Sequence, residues 1–110
     1  LIIVLNEWQK DWSANNNDAY LNHYHPYFTD AKRNLRQWKN YKTRINKSKR
    51  YISVKLSQVS IIAYPGEENL VSSRFYQDYQ RSNFSWRGWK QLLWRRLDNG
   101  EWKILFEGNG

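Results

Sequence analysis

The sequence predicts an α+β domain, with three helices packed on one side of a mostly four-stranded antiparallel sheet. Three observations carry this. Apolar residues recur at helical spacing up to about Ser48, and from Tyr51 onward they alternate with polar ones. Turn-forming clusters at Pro65-Gly66-Glu67-Glu68-Asn69 and Asp98-Asn99-Gly100 then divide the second half into strands. Helices first and hairpins afterwards is the order of an α+β fold, not of alternating β-α units.

In chain order, Leu1, Leu5, Trp8 and Trp12 fall on one face of a first helix. Ser13 to Asn17 interrupt it, and Asn17 or Asp18 can cap a second helix by accepting backbone N–H bonds. This second helix is expected to carry Tyr20, Leu21, Tyr24 and Phe28 inward and to end or kink before Pro26. A third helix is expected from about Arg33 to Ser48, with Leu35, Trp38, Tyr41 and Ile45 as its apolar stripe and Lys39, Lys42, Lys47 and Lys49 exposed. Ile52, Val54 and Leu56 alternate in the first strand, after which the apolar parity switches to Val59, Ile61 and Ala63. One extra residue near Ser57-Gln58 keeps both sets on one face, so a β-bulge is predicted there. The remaining strands are expected over about Leu70 to Arg81, Trp86 to Leu97 and Glu101 to Glu107, with Asp98-Asn99-Gly100 as a hairpin turn. Trp8, Trp12, Trp38, Phe75, Trp102 and Ile104 should be largely buried.

At 110 residues the chain forms one domain, and its 7 Trp, 8 Tyr and 4 Phe supply the burial that disordered chains lack. The opening Leu1-Ile2-Ile3-Val4-Leu5 is too short to span a bilayer and lacks the flanks of a signal peptide. A chain that starts without Met and contains none reads as a domain cut from a longer protein. Cys is 0, which removes disulfides, thiolate nucleophiles and Cys-ligated metal sites. His23 and His25 are the only imidazoles, so a three-His zinc site is excluded, and two apart on a helix they face different directions, which gives both a surface role. No Gly-rich phosphate loop is present. The net charge of +8 is concentrated between Ala31 and Gly66, where ten basic residues stand without an acid. Such a segment is either a solvated helix face or the footprint of a polyanion partner.

The ordered set Trp8…Trp12-Ser13…Asp18…Tyr20-Leu21…Tyr24…Phe28, Trp38, Arg44, Phe75-x-Gln77-x-Tyr79, Lys90-x-Leu92 and Trp102-x-Ile104…Glu107 resembles the nuclear-transport-factor-2-like superfamily. Within it, the chain is similar to the small domain appended to bacterial L,D-transpeptidase-type cell-wall proteins. The resemblance covers nearly the whole chain and implies a cone-shaped fold with a pocket, in a periplasmic or envelope location. Two features depart from the pattern: a short connection from Phe28 to Arg33, and a third strand rich in Trp86, Trp89, Trp94, Arg95 and Arg96. The transpeptidase reaction needs a catalytic Cys, which this chain lacks. The implied role is therefore accessory and non-catalytic, with no cofactor: holding a small polar or peptidoglycan-related ligand, positioning a catalytic domain of the parent chain, or forming a homodimer.

In that fold Arg44, Gln77, Tyr79, Lys90 and Glu107 converge on the pocket, with Tyr24, Tyr27 and Trp38 lining it. Two cations, a carboxylate, an amide and a phenol suit a zwitterionic or anionic ligand. The alternative is an internal network in which Glu107 neutralises Lys90 or Arg44, with Trp38 as core. Two further functional classes stay open. A ketosteroid isomerase-like enzyme would use Asp30 as base and Tyr79 as donor, Asp78 having the wrong strand parity. A single-stranded nucleic-acid module would use Arg36-Gln37-Trp38-Lys39 or Trp94-Arg95-Arg96, although no RNA-binding or zinc-finger motif is present. Trp86 or Trp89 on the outer sheet face would anchor a dimer.

Overall fold

The structure, a computed structural model, describes residues 1–47 and 51–109. The expected helix end at Ser48 and the exposure of Lys49 lie outside the described residues. Helix α1 (Ile2–Ser13) buries Leu5, Trp8 and Trp12 along the anticipated face. Helix α2 (Asn17–Leu21) is capped by Asn16, one residue earlier than expected, whose side chain accepts from the Ala19 N–H at 3.4 Å. Helix α3 (Leu35–Lys47) carries the basic segment.

The second helix does not continue to Phe28. Residues Tyr24–Thr29 form strand β1, and the sheet has five strands where four were expected. A spacing of four residues, as between Tyr24 and Phe28, fits both a helical turn and two strand repeats, so periodicity could not separate the two. Pro26 decides between them: it removes a backbone donor and disfavours the α region at His25, whereas an edge strand tolerates it. The imidazoles are consequently not on a helix. His23 bonds Asp11 through Nε2 at 2.8 Å, and His25 is buried on β1, its Nδ1 accepting from the Tyr27 N–H.

The remaining strands are β2 (Ile52–Tyr64), β3 (Glu67–Arg81), β4 (Phe84–Arg96) and β5 (Trp102–Asn109), in the sheet order β1-β5-β4-β3-β2. Strands β2 to β5 form an antiparallel meander, and β1 joins β5 in parallel. The sheet is curved and open, with the helices packed against one face. The register of β2 on β3 slips between Ser57 and Ser60, with Gln58 at φ 52°, which is the predicted bulge. Beyond it the hairpin runs past the helices and leaves Val59, Ile61, Ile62 and Tyr64 exposed.

The core is aromatic. Trp8 meets Phe75 at 5.9 Å and Trp12 stacks on Tyr20 at 5.3 Å, while Tyr24 stands edge-on to Phe28 at 4.9 Å. Trp94, wholly buried, donates its indole N–H to Ser73 Oγ at 3.0 Å. Ser13 ties α1 to β2 by accepting from the Val54 N–H at 3.0 Å. Trp102 is only partly buried, packing against the rim of this core.

Candidate functional site

Between α3, the loop at Asp30–Arg33 and the concave face of β3–β5 lies a cleft in two chambers. The first, of about 370 Å³, is bordered by Trp12, Asp30, Arg33, Trp38, Lys42, Lys90 and Glu107. The second, of about 260 Å³, lies toward Gln77, Tyr79, Arg81, Phe84 and Trp86. Both include Trp12, Tyr41, Lys42 and Lys90, which therefore form the wall between them.

A polar chain runs inward from the first chamber. The Lys90 ammonium lies 3.6 Å from Glu107 Oε2, and the Tyr24 hydroxyl lies 2.9 Å from Glu107 Oε1. Tyr24 also accepts from the Trp8 indole N–H at 3.2 Å and lies 3.0 Å from the Tyr20 hydroxyl. With a single phenolic proton to give, Tyr24 donates it to the carboxylate, the strongest acceptor present. Burial, and then the charge of Glu107, pushes the Tyr20 and Tyr24 phenols well above the ordinary tyrosine value, so both stay protonated donors.

Lys42 reverses the expectation that it would be exposed: it is 7% exposed, with its ammonium 4.4 Å from the Trp12 ring, 5.5 Å from Trp38 and 5.7 Å from Tyr20. It stands four residues after Trp38, on the same helix face, so the buried stripe runs through Trp38, Lys42 and Asn46. Burial lowers its pKa to about 8; Glu107 opposes this, while Lys90, Arg81 and Arg33 reinforce it. The three ring faces compensate part of the desolvation through cation–π attraction. Four buried polar atoms on cleft residues lack a hydrogen-bond partner: Trp12 Nε1, Trp38 Nε1, Gln77 Oε1 and Arg81 Nε.

The fold that frames this cleft has counterparts. The family model of the Cds6 C-terminal NTF2-like domain matches residues 1–108. The chain belongs to that family. The NTF2-like fold is shared with the helical cell shape determining protein Pgp2 of Campylobacter jejuni, at 30% identity and a TM-score of 0.82 over 98% of this chain. A single-substitution variant of Pgp2 superposes at 0.86 with 29% identity over 96%. Bd1075 of Bdellovibrio bacteriovorus shares the fold at a TM-score of 0.86, 21% identity and 96% coverage. In all three the NTF2-like domain accounts for only 37–39% of the longer protein. No curated protein sequence matches the chain. Among the described residues no helix is long and apolar enough to cross a membrane, and no group of His, Cys, Asp or Glu could hold a metal ion.

Of the residues anticipated in the NTF2-like pocket, Trp38, Lys90 and Glu107 border the first chamber, Gln77, Tyr79 and Lys90 the second, and Tyr24 lies beneath Glu107. Tyr27 and Arg44 do not join them. Tyr27 has the opposite strand parity to Tyr24 and Phe28 and is 81% exposed. Arg44 follows Lys42 by two residues, which turns it to the solvent side of α3. Glu107 therefore pairs with Lys90 and not with Arg44. Lys42, Arg33 and Arg81 were the cations missed; for Lys42 the spacing from Trp38 was the available signal. The basic segment is thus divided, with Arg33 and Lys42 on the cleft and Arg36, Lys39, Arg44 and Lys47 exposed.

Asp30 borders the first chamber, but its carboxylate is engaged. Oδ1 accepts from the backbone N–H groups of Lys32 and Arg33, and Oδ2 pairs with the Arg33 guanidinium at 3.1 Å. Asp78 faces away, its carboxylate 3.4 Å from Arg87 Nε. On the outer face Trp89 stands edge-on to Tyr76 at 5.5 Å beneath Arg74, whereas Trp86 is turned into the cleft.

Proposed function

We propose that this domain is a non-catalytic binding module of a bacterial cell-wall protein in the envelope, and that its cleft holds a small ligand carrying both a carboxylate and an amine, such as a peptidoglycan fragment. The observation that supports it most is the charge arrangement of the first chamber. Lys42 and Lys90 offer two cations to a carboxylate, Glu107 offers one carboxylate to an amine, and Trp12 and Trp38 wall the space between. Two cations against one buried acid leave a positive charge for an anion to neutralise. Kinship with a cell shape determining protein supports the wall assignment. A binding role is favoured over a proton-abstracting one because Asp30, the carboxylate an isomerase-like reaction would use as base, is engaged by the Arg33 guanidinium and by the backbone N–H groups of Lys32 and Arg33.

Titration calorimetry with soluble muropeptides tests this. Lys90→Ala is expected to weaken binding by well over tenfold, since removing one partner of a desolvated charge pair costs about 2–5 kcal/mol. Arg44→Ala, on the solvent side of α3, should bind as the parent does. Equal affinity in a folded Lys90→Ala variant would refute the assignment.

Self-association belongs to the same reading, and the outer sheet face is its proposed site. Trp89, ringed by Tyr76 and Arg74, has the composition of an interface anchor. Light scattering at high micromolar concentration should give about twice the 13.5 kDa of the chain, and Trp89→Ala should return it to that mass. A monomer mass for the parent would end this part of the reading.

A further inference from the structure

The second chamber differs in chemistry from the first, and strand register explains how it is built. Gln77 pairs with Gly88 and Tyr79 with Trp86 across β3 and β4, so all four lie on the concave face together with Lys90. Gly88 creates the space. A Cβ at that position would lie 2.5 Å from Trp86 Cζ2, so only glycine lets the indole lie flat along β4 toward Lys90, whose ammonium is 5.4 Å from the ring. At the inner end Gln77 is 2% exposed, and its Oε1 accepts from nothing. At the outer end Arg81 packs its guanidinium 4.6 Å from the Phe84 ring, and its buried Nε donates to nothing. Tyr79 lies between them on the same strand face.

A group filling this chamber must therefore offer a hydrogen-bond donor at depth, an acceptor or anion at the rim, and little bulk between apolar walls. A neutral sugar hydroxyl would satisfy Gln77 but would waste the cation. A simple anion would satisfy Arg81 but would leave the buried amide oxygen unpaired, which is costly. The last residue of a peptide offers both at once, with its backbone N–H and its carboxylate separated by one Cα.

We propose that the second chamber is a carboxyl-terminal subsite, in which Gln77 Oε1 accepts the N–H of a peptide's last residue and Arg81 pairs with its carboxylate. Trp86 and Phe84 flank a small side chain. The inference rests on the ligand reading of the first chamber and deepens it: the preceding residue sits in that chamber, its side-chain amine toward Glu107 and a side-chain carboxylate, where the ligand carries one, toward Lys42 and Lys90.

The probes are N-acetyl-lysyl-alanine, made with either enantiomer of the terminal alanine, its C-terminal amide, and free lysine, each titrated into the folded domain by calorimetry. The free acid of at least one enantiomer is expected to bind about tenfold or more tightly than its amide, because only the acid pairs with the guanidinium. Arg81→Met should abolish that acid-to-amide ratio, while Arg36→Met on the solvent side of α3 should preserve it. Gly88→Ala, which displaces Trp86, should lower the affinity for acid and amide alike. Acid and amide binding equally, with lysine also bound, would overturn the subsite and leave the first chamber standing. Binding of no probe at all would overturn both.

Discussion

Glu107→Ala is expected to lower the unfolding free energy by about 3 kcal/mol, since it strips a buried charged network of the acceptor that organises it. Glu107 receives the Tyr24 proton at 2.9 Å and faces Lys90 at 3.6 Å. Without it, the Tyr24 phenol has no carboxylate to donate to, and the partly buried Lys90 ammonium loses its counter-ion. Each orphaned group carries a desolvation cost that water can only partly refund in so enclosed a place. Glu107→Gln keeps an acceptor for Tyr24 and loses only the charge, so it should fall between the parent and the alanine variant. Urea denaturation at pH 7, followed by tryptophan fluorescence, checks both; a loss below about 1 kcal/mol for Glu107→Ala would contradict the network described.

Lys42→Met has the opposite expected sign, stabilising the domain by about 2 kcal/mol at pH 7 while removing a cation from the cleft. Burial takes the lysine from its ordinary 10.5 down to about 8. Between those values the unfolded chain holds a proton that the folded one has released, so stability rises with pH across that window. Below about pH 8 the folded domain bears the full cost of a buried ammonium, reduced by the three surrounding rings. The raised pKa values of Tyr20 and Tyr24 act the other way once unfolded tyrosines ionise near pH 10, so the useful range is about pH 8 to 9.5. Denaturation at pH 7 and pH 9.5 should show the parent gaining stability and Lys42→Met gaining little. A less stable variant with an undiminished pH slope would show that Lys42 carries no such penalty. The wild-type residue then exemplifies a buried charge retained at the expense of the fold.

Much of this was legible in the residues. The change of period at Tyr51, the parity switch at Ser57-Gln58 and the two turn clusters marked the meander and its bulge, because each reflects a local backbone preference. Strand β1 was not legible. Its Tyr24 and Phe28 satisfy both periods, and its partner is a strand eighty positions away, Tyr24 opposite Ile104. In the cleft, Gln77, Tyr79, Lys90 and Glu107 could be anticipated because strand parity and family pattern agree on them. Lys42 was harder to see: its four-residue spacing from Trp38 was the one signal, and a lysine beside an aromatic stripe otherwise reads as a solvated edge until three rings are seen to enclose its ammonium. Arg44, which the family pattern alone placed in the pocket, stands two residues past Lys42 on the solvent side, because the buried face of α3 is rotated by one position from its apolar stripe.

The parallel seam between β1 and β5 also bears on how the molecule assembles. Tyr24 meets Glu107 across 83 positions, and the Ile104 N–H closes on the His23 carbonyl at 2.8 Å. The hairpins of β2 to β4 need only neighbouring sequence and can form early, whereas the polar keystone joins two distant stretches and carries the loop-closure entropy of nearly the whole segment. On a ribosome, a nascent chain that stops short of Trp102 has its aromatic helices and the hairpins of β2 to β4 but no strand to clasp β1 and no acid for Lys90. Such a chain leaves the core residues that β5 covers open to water, the condition that makes incomplete folds prone to aggregate. Within this domain β5 is the strand whose arrival closes the core beside β1 and brings Glu107 to the cleft in one step.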